Sequence, residues 1–493
     1  MTMKKFLYIL VLIPLSIISC VKDLKEDPKG VLSPSTLFAS GSGIQLAANN
    51  LGNQMANLVY NSDWHLVPYM GGDDITSQPA SNKQDWREVD IFGATDGNIG
   101  LANIWAGYYA TIRAANAIIS NIQFSTAEKS INDDCLGQAY FYRALCYSFL
   151  TRIWGKVPLI DKYSGEIDYS LVPAEVNDVY TLIVNDCQKA ESLLPITRSD
   201  GSYPGARPLR GAAKALLSQV YLTMAGWPIK QPSNYALAAA KAKEVMDSAS
   251  VYGYQLEDIH DLWSWANNYT NHECIFGMYY CNTAEGGWSG TMASPPGDRP
   301  EEEGGWADYY AEISFFNKFP AGPRKNITYQ TRIKIDANTV VPWNDSRTLR
   351  QHPYFHKYTD DRDSLDWWGS RTQQIIRYAE VLLTYAEAKS MSGGVDASAY
   401  NAVNLIRSRA GLPDLTPGLS ATDFRDSVVA ERGWEFAGGE PASHWFDLIR
   451  LEKVEEAALN RDPKELVLKH TPTKSDYWMP LPSVDKSLNP NLH

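Results

Sequence analysis

The apolar positions of this chain follow a helical period in most places and lose it in one long stretch. Over residues 375–386, apolar side chains recur every three or four positions, which predicts an amphipathic helix. A second helix is predicted through Tyr400 to Ala410, stopping at Gly411. The same spacing predicts earlier helices over residues 104–122, 137–153, 176–194, 211–224 and 235–246.

These helices come in pairs joined by short turns and rich in Ala and Tyr, a style that resembles tetratricopeptide-type hairpins. The pairs are unevenly spaced, so a regular solenoid is not expected. The pattern predicts a mainly α fold: a tetratricopeptide-like helical-pair scaffold over about residues 32–253 and 373–450.

The helical period is lost over about residues 254–372. Long irregular segments are either functional or disordered, and this one is too rich in aromatic residues for disorder. We therefore expect an inserted, irregular ligand-binding region that carries short strands. Its aromatic residues include Trp263, Trp265, Trp288, Trp306, Tyr309, Tyr310, Trp343, Trp367 and Trp368.

The N-terminus has the pattern of an export signal. Lys4 and Lys5 precede an apolar run over residues 6–18, which at thirteen residues is too short to span a bilayer about 30 Å thick. The run ends in Ile-Ile-Ser-Cys, which resembles a bacterial lipobox. We expect a signal peptide over residues 1–19, lipidation of Cys20 and a charged tether over residues 20–31. The alternative is an ordinary signal peptide with an incidental Cys20.

The net charge and the spacing of the cysteines and histidines disfavour several classes of ligand and site. The 493 residues carry a formal charge of −12, which argues against nucleic acid, whose binders present a basic face. Beyond Cys20 the other five cysteines show no paired C-x-x-C spacing, which favours buried free thiols over disulfides or zinc. The eight histidines show no metal spacing, so no metal or cofactor is expected, although calcium bound by loop carboxylates stays open.

A series of motifs then carries a resemblance over nearly the whole mature chain. The motifs appear in this order: WAGYY (105–109), YRAL (142–145), WGKVPL (154–159), GAAKALL (211–217), ECIF (273–276), RYAEVLL (377–383), IRSRAGL (406–412), ERGWEF (431–436), WFDL (445–448) and WMPLP (478–482). Together they resemble the SusD/RagB family of outer-membrane nutrient-binding lipoproteins. One departure is the segment Gly-Gly-Glu-Pro-Ala-Ser-His at 438–444, where the family usually has Glu-Gly and an Arg.

The resemblance implies a SusD-like fold and a lipid-anchored position on the outer membrane, facing the cell surface. It also implies a partner, a SusC-like TonB-dependent transporter. The protein would capture oligosaccharides, or in some relatives peptides, and deliver them to that transporter. Indole faces suit such capture because they stack on the C–H patches of a sugar, at about 1 kcal/mol for each platform.

Two groups of residues are candidates for the ligand site. Paired glycines precede Trp288 and Trp306, and they let a backbone expose a large ring. In the N-terminal half, the loop of Gly-Gly-Asp-Asp at 71–74 is flanked by Trp64 and Trp86. There we expect Trp86 to contact ligand, with Asp73 or Arg87 as hydrogen-bonding partners. The aromatic residues on helical faces are expected in the core: Trp105, Tyr109, Tyr142 and Trp434.

Enzyme functions are disfavoured because the sequence has no hydrolase, metalloprotease, phosphate-binding or dinucleotide motif. Glycoside hydrolysis needs two carboxylates across a cleft. Glu380 and Glu387 are seven apart on a predicted helix, about 10.5 Å, which suits pairing with Arg377 better than catalysis. A glycoside hydrolase and a helical scaffold without a small ligand remain the minor alternatives.

Overall fold

The computed structural model describes residues 34–80, 82–280, 305–336, 338–357, 372–441 and 444–492. The predicted signal peptide, the lipidation site at Cys20, the tether, Trp288 and the Trp367-Trp368 pair lie outside the described residues.

Helices dominate the N-terminal half, as the apolar spacing predicts. Asn98 caps one of them by accepting a hydrogen bond from the backbone of Leu101 at 3.0 Å, which satisfies an otherwise unpaired N–H group. The helix over Lys129–Trp154 ends at Gly155, whose φ of 73° lies in the region that favours glycine. The helices are α1 (Pro34–Leu37), α2 (Gly41–Met55), α3 (Gln84–Asp90), α4 (Ile99–Asn121), α5 (Lys129–Trp154), α6 (Val176–Leu193), α7 (Arg210–Ala225), α8 (Asn234–Asp247) and α9 (Ala249–Tyr252).

From α4 to α8, each helix packs against the next one in sequence. Their shared core buries Trp105, which is 3% exposed, and Tyr142, which is 2% exposed. Both were predicted to be core residues, and those predictions are confirmed. The four cysteines in the described part of the chain, Cys135, Cys146, Cys187 and Cys274, are buried free thiols.

In a second group of helices, the first two lie between strands of the inserted region and the others follow the last strand. The helices are α10 (Ile313–Lys318), α11 (Pro323–Thr328), α12 (Tyr378–Gly393), α13 (Ala397–Arg409), α14 (Ala421–Glu435), α15 (His444–Arg450), α16 (Val454–Leu459) and α17 (Ser483–Leu488). Helix α12 packs against α8 and α7 of the first group, so both groups share one core. The prediction of a mainly helical fold is confirmed.

The strands are short and pair two by two. They are β1 (Ile75–Ser77), β2 (Cys274–Met278), β3 (Tyr309–Ala311), β4 (Tyr329–Gln330), β5 (Arg332–Asp336), β6 (Thr339–Pro342), β7 (Tyr354–Phe355) and β8 (Gln373–Arg377). The antiparallel pairs are β1 with β3, β2 with β8, β4 with β7 and β5 with β6.

One predicted helix begins later than expected. Ile375 and Ile376 were assigned to the helix over residues 375–386, but they lie in β8, and α12 starts at Tyr378. Both side chains are buried, and β8 pairs with β2, a strand about a hundred residues earlier. A short β-branched apolar run fits either period, and here the long-range pairing decides it.

The partners predicted for Arg377 are wrong, because this residue ends β8 and does not lie on the helix surface. Its guanidinium group is buried and pairs with Glu440 at 2.7 Å, Glu273 at 2.6 Å and Glu435 at 2.8 Å. Glu387 instead pairs with two other buried arginines, Arg432 at 2.8 Å and Arg450 at 2.5 Å.

Among the described helices, none is long and apolar enough to cross a lipid bilayer.

Candidate functional site

Two segments that the sequence singled out separately lie side by side in the structure. Strand β1 follows the Gly-Gly-Asp-Asp loop, and β3 follows Trp306. The two strands pair in antiparallel register, with Ser77 opposite Tyr309. Just beyond the strands, the backbone N–H of Gln78 donates to the carbonyl of Asp308 at 3.0 Å. The pairing therefore places the residues after β1 next to the residues before β3.

A polar cluster forms at this end of the strand pair. The Gln78 side-chain amide donates a hydrogen bond to Asp308, and its carbonyl oxygen accepts one from Arg350. The Lys83 ammonium lies 3.8 Å from the second oxygen of Asp308. We call these four residues the Gln78–Asp308 cluster. Gln78 and Asp308 are buried, at 3% and 4% exposed, whereas Lys83 and Arg350 are half-buried. The ammonium and guanidinium groups are therefore the members nearer to the surface, where such donors can bind sugar hydroxyl groups.

Part of the hydrogen-bonding capacity of the cluster is unused. Among the described residues, Oδ2 of Asp308 is buried and accepts no hydrogen bond, and Nε of Arg350 is buried and donates none. Burial raises the pKa of the Asp308 carboxyl, an effect that the nearby Lys83 ammonium opposes. An unmet hydrogen bond in a buried polar group costs about 1–3 kcal/mol, and such costs are accepted mainly at functional positions.

Trp306 lies two residues before Asp308 in the chain and is 37% exposed, so part of this residue is at the surface. The backbone between them passes through Ala307, whose φ of 52° is uncommon for a residue with a side chain. A partly exposed indole thus lies two residues along the chain from the polar cluster. Trp306 stays the platform candidate in the described part of the inserted region.

Trp86 is not exposed, so the prediction that it contacts ligand does not fit the structure. Its side chain is completely buried, with the ring of Tyr309 at 5.6 Å and the Lys83 ammonium 4.9 Å from its centre. The ring is enclosed because α3, which the sequence analysis did not predict, packs its inner face against the strand pair. The Lys83 ammonium forms a cation–π contact with the Trp86 ring, and the buried ring has no face open to a sugar.

The other N-terminal candidates lie in different surroundings. Trp64 is half-buried and packs against the core near the start of α4. Arg87 is half-buried and donates to the carbonyl of Ala80 at 2.7 Å. Arg87 therefore holds the loop that leads from β1 to Lys83, next to the Gln78–Asp308 cluster.

The Asp73 carboxylate forms an ion pair with His444 at 3.1 Å, so it faces His444 and not the Gln78–Asp308 cluster. Burial alone would raise the pKa of Asp73, but the His444 imidazolium outweighs this and lowers it. Burial would lower the pKa of His444, and the Asp73 and Asp74 carboxylates raise it to about 9. Asp74 accepts a hydrogen bond from the backbone of Gly438 at 3.1 Å. The loop at 71–74 is thus tied to the segment that departs from the family pattern.

Sequence reasoning missed all four residues of the Gln78–Asp308 cluster. Asp308 could have been found from its position two residues after Trp306. Gln78 and Lys83 follow the acidic loop but belong to no motif. Arg350 lies in an irregular connection between β6 and β7 with no recognisable pattern.

The described residues around the cluster include one further buried carboxylate, that of Asp90. Asp90, the last residue of α3, is buried against β1 and accepts hydrogen bonds from Thr76 at 2.9 Å and from Ser77 at 2.8 Å. It also pairs with Arg461 at 2.7 Å, so its oxygens are occupied. In the described ranges, no group of His, Cys, Asp or Glu side chains is arranged to hold a metal ion.

Comparisons with known proteins agree with this architecture. A family model described as "SusD family" matches residues 327–493, and one described as "Starch-binding associating with outer membrane" matches residues 41–222. SusD-like protein P2 of Formosa agariphila is 27% identical, and the alignment covers 99% of each chain.

Solved structures show the same fold. A SusD homolog from Bacteroides thetaiotaomicron has a TM-score of 0.78 at 22% identity, covering 93% of this chain and 97% of that one. A structure described as a laminarin-binding SusD-like protein has a TM-score of 0.75 at 23% identity, covering 92% and 98%. The ordered motifs, the helical scaffold and both family matches lead to one assignment: the chain belongs to the SusD/RagB family.

Proposed function

We propose that this protein is a cell-surface glycan-binding lipoprotein that captures oligosaccharides and delivers them to a SusC-like TonB-dependent transporter. The observation that carries the glycan part is the Gln78–Asp308 cluster, which lies two residues along the chain from the partly exposed Trp306. An aromatic face gives a sugar-tolerant contact, and the polar cluster gives direction and selectivity. The laminarin-binding relative of the same fold supports this ligand class.

The second part of the proposal concerns the attachment of the protein to the outer membrane and its contact with the transporter. Acylation of Cys20 would anchor the chain to the outer membrane, and two or more acyl chains hold a protein firmly. The paired helices offer broad, rigid faces to another protein. A stable contact with the transporter would bury upward of about 1,200 Å². The family description that associates starch binding with the outer membrane supports this location.

The direct test of ligand class is electrophoresis of the purified protein through gels that contain different polysaccharides. Retardation without breakdown of the polysaccharide is expected. Release of sugar products would favour the hydrolase alternative. Retardation by no polysaccharide, together with binding to a peptide library, would overturn the glycan proposal in favour of the peptide-binding alternative, and failure with both would favour a scaffold.

The transporter is tested separately. After mild detergent extraction, the tagged protein should purify with the TonB-dependent transporter encoded next to it. A matched sample in which Cys20→Ala removes the anchor separates membrane attachment from the protein contact. If the tagged protein repeatedly emerges alone from cells that express the transporter, the delivery proposal is wrong.

A further inference from the structure

A second groove lies at the C-terminal end of the chain and contains none of the residues of the Gln78–Asp308 cluster. It is bounded by the end of α5, by the connection after α5 and by residues 469–491, with a volume of about 770 Å³. Its lining includes Trp154, Lys156, Lys469, Trp478 and Lys486, and we call it the Trp478 groove. Ligand pockets in proteins typically measure about 300–1,000 Å³, so a short oligosaccharide fits.

The groove is already formed without a ligand. The backbone N–H of Met479 donates to the carbonyl of Ile153 at 2.8 Å, and the Trp154 indole donates to the carbonyl of Pro480 at 3.1 Å. The backbone of Lys469 is tied to Ile91 by a 2.9 Å hydrogen bond. Because main-chain bonds fix both walls, a ligand that enters would order little of the protein, which favours affinity.

An aromatic wall faces the groove. Trp478 is half-buried and rests on Gly155, where a Cβ atom would come within 2.5 Å of the ring. The ring of Trp227 holds Trp478 from another side, with a centroid distance of 4.7 Å. Trp478 is thus a fixed indole with part of its surface open to the groove, an arrangement suited to stacking on a sugar.

The charge of the groove opposes that of the whole chain. Three lysines line it, Lys156, Lys469 and Lys486, in a protein with a formal charge of −12. The carboxylate of Asp476 also lines it, but this group is paired with His470 at 2.8 Å. Lysines thus outnumber carboxylates among the side chains that line the groove.

The three lysines are available to different degrees. Lys156 and Lys486 form exposed ion pairs with Glu175 at 2.6 Å and Asp96 at 3.1 Å, which are weak contacts in water. Lys469 is exposed, and within the described ranges no carboxylate lies within ion-pair distance of its ammonium group. Lys469 is the cation best placed to bind an incoming anion.

We propose that the Trp478 groove is a second saccharide site, and that it takes oligosaccharides bearing carboxylate or sulfate groups. The indole contacts the sugar ring, and the lysines bind its anionic substituent. A charged substituent makes stronger hydrogen bonds than a hydroxyl group does, so the groove selects anionic over neutral saccharides.

The test is calorimetric titration of the full chain with trigalacturonate, with its methyl ester and with a sulfated galactan tetrasaccharide. At least one anionic saccharide should bind tighter than the neutral ester, and its affinity should fall in salt of about 1 M, where the Debye length is only about 3 Å. Binding of trigalacturonate alone identifies a uronate groove, and binding of the sulfated sugar alone a sulfate groove. Equal binding of both means that charge alone is recognised.

The variant Lys469→Glu tests whether the anionic saccharide binds in the Trp478 groove. The variant should bind the anionic saccharide roughly five- to tenfold more weakly, because it reverses a charge at the contact. Lys464→Glu, an exposed lysine on the same segment outside the groove, is the matched control and should bind like the parent. Both variants should keep the parent affinity for a neutral glycan retained in the gels, which separates this site from the Gln78–Asp308 cluster.

Three results would overturn the proposal. One is that neither anionic saccharide binds tighter than the ester. Another is that Lys469→Glu binds the anionic saccharide as well as Lys464→Glu does. The third is that a tetraglutamate peptide binds tighter than both saccharides, which would make the groove a peptide site.

Discussion

Gln78 and Asp308 are bonded to each other twice, once through the main chain and once through their side chains, although 230 residues separate them. This contact joins the loop after β1 to the segment that carries Trp306. Neither segment alone contains both an exposed indole and a set of polar groups. The site exists because the short strand pair holds the two segments together.

Trp306→Ala should weaken binding of a retained glycan by roughly 1 kcal/mol or more, the value expected for one lost aromatic contact. The melting temperature should change little, because the ring is 37% exposed and contributes little to the core. Isothermal titration measures the first effect and calorimetric melting the second. Phe124→Ala, which removes a 46% exposed ring in the turn after α4, is the control and should bind like the parent.

Asp308→Asn should weaken binding of the same glycan by about 1–3 kcal/mol, because a charged acceptor in a hydrogen bond is replaced by a neutral group. The substitution keeps the shape of the side chain, so the strand pair should remain. Titration with the glycan measures the effect, and circular dichroism checks the fold. Parent-like binding would place the site away from the Gln78–Asp308 cluster.

Trp105→Ala should behave in the opposite way to Trp306→Ala. Its ring is 3% exposed and lies edge-on against Trp154 at a centroid distance of 5.1 Å. Removing a buried ring of this size costs about 3–5 kcal/mol of unfolding free energy. Urea denaturation would measure the loss, and the protein that remains folded should bind glycan normally. A loss of affinity without a loss of stability would contradict the assignment of Trp105 to the core.

The Asp73–His444 ion pair predicts a pH effect on stability. The pKa of His444 is raised from 6.5 to about 9, so its contribution is complete below pH 6.5 and is lost as the pH rises through about 9. Relative to His444→Gln, the parent should lose up to about 3 kcal/mol of unfolding free energy over this interval. Urea denaturation between pH 6 and pH 10 tests this. A difference between the parent and His444→Gln that stays constant over this interval would contradict the raised pKa of His444.

Glu380 predicts a second pH effect, in this case from an acid. Burial raises its pKa from 4.5 to about 8, so the folded protein keeps a proton that the unfolded chain releases. The folded state is therefore favoured below pH 4.5 and loses stability as the pH rises towards 8. Glu380→Gln should gain on the order of 3 kcal/mol relative to the parent between pH 4.5 and pH 7. A difference between the parent and Glu380→Gln that stays constant across that interval would contradict the raised pKa of Glu380.

The sequence predicted the helices better than it predicted the site. Residues 176–194 and 235–246 were expected to be helical, and the structure has Val176–Leu193 and Asn234–Asp247. Regular apolar spacing is a local signal, so it predicts a helix without any knowledge of the fold. The Gln78–Asp308 cluster depends on strand pairing between distant segments, and Arg350 comes from a third segment without a pattern. The burial of Trp86 also results from tertiary packing, which no local pattern encodes.

The ion pairs of Arg377 have a consequence for how the protein unfolds. Its partners Glu273, Glu435 and Glu440 come from the edge of β2, the end of α14 and the segment after it, so four separate parts of the chain meet at one buried cation. Releasing any one part would leave a buried charge without its full set of partners, at a cost of about 3–5 kcal/mol. The inserted strands and the helical scaffold should therefore melt together, in one cooperative transition.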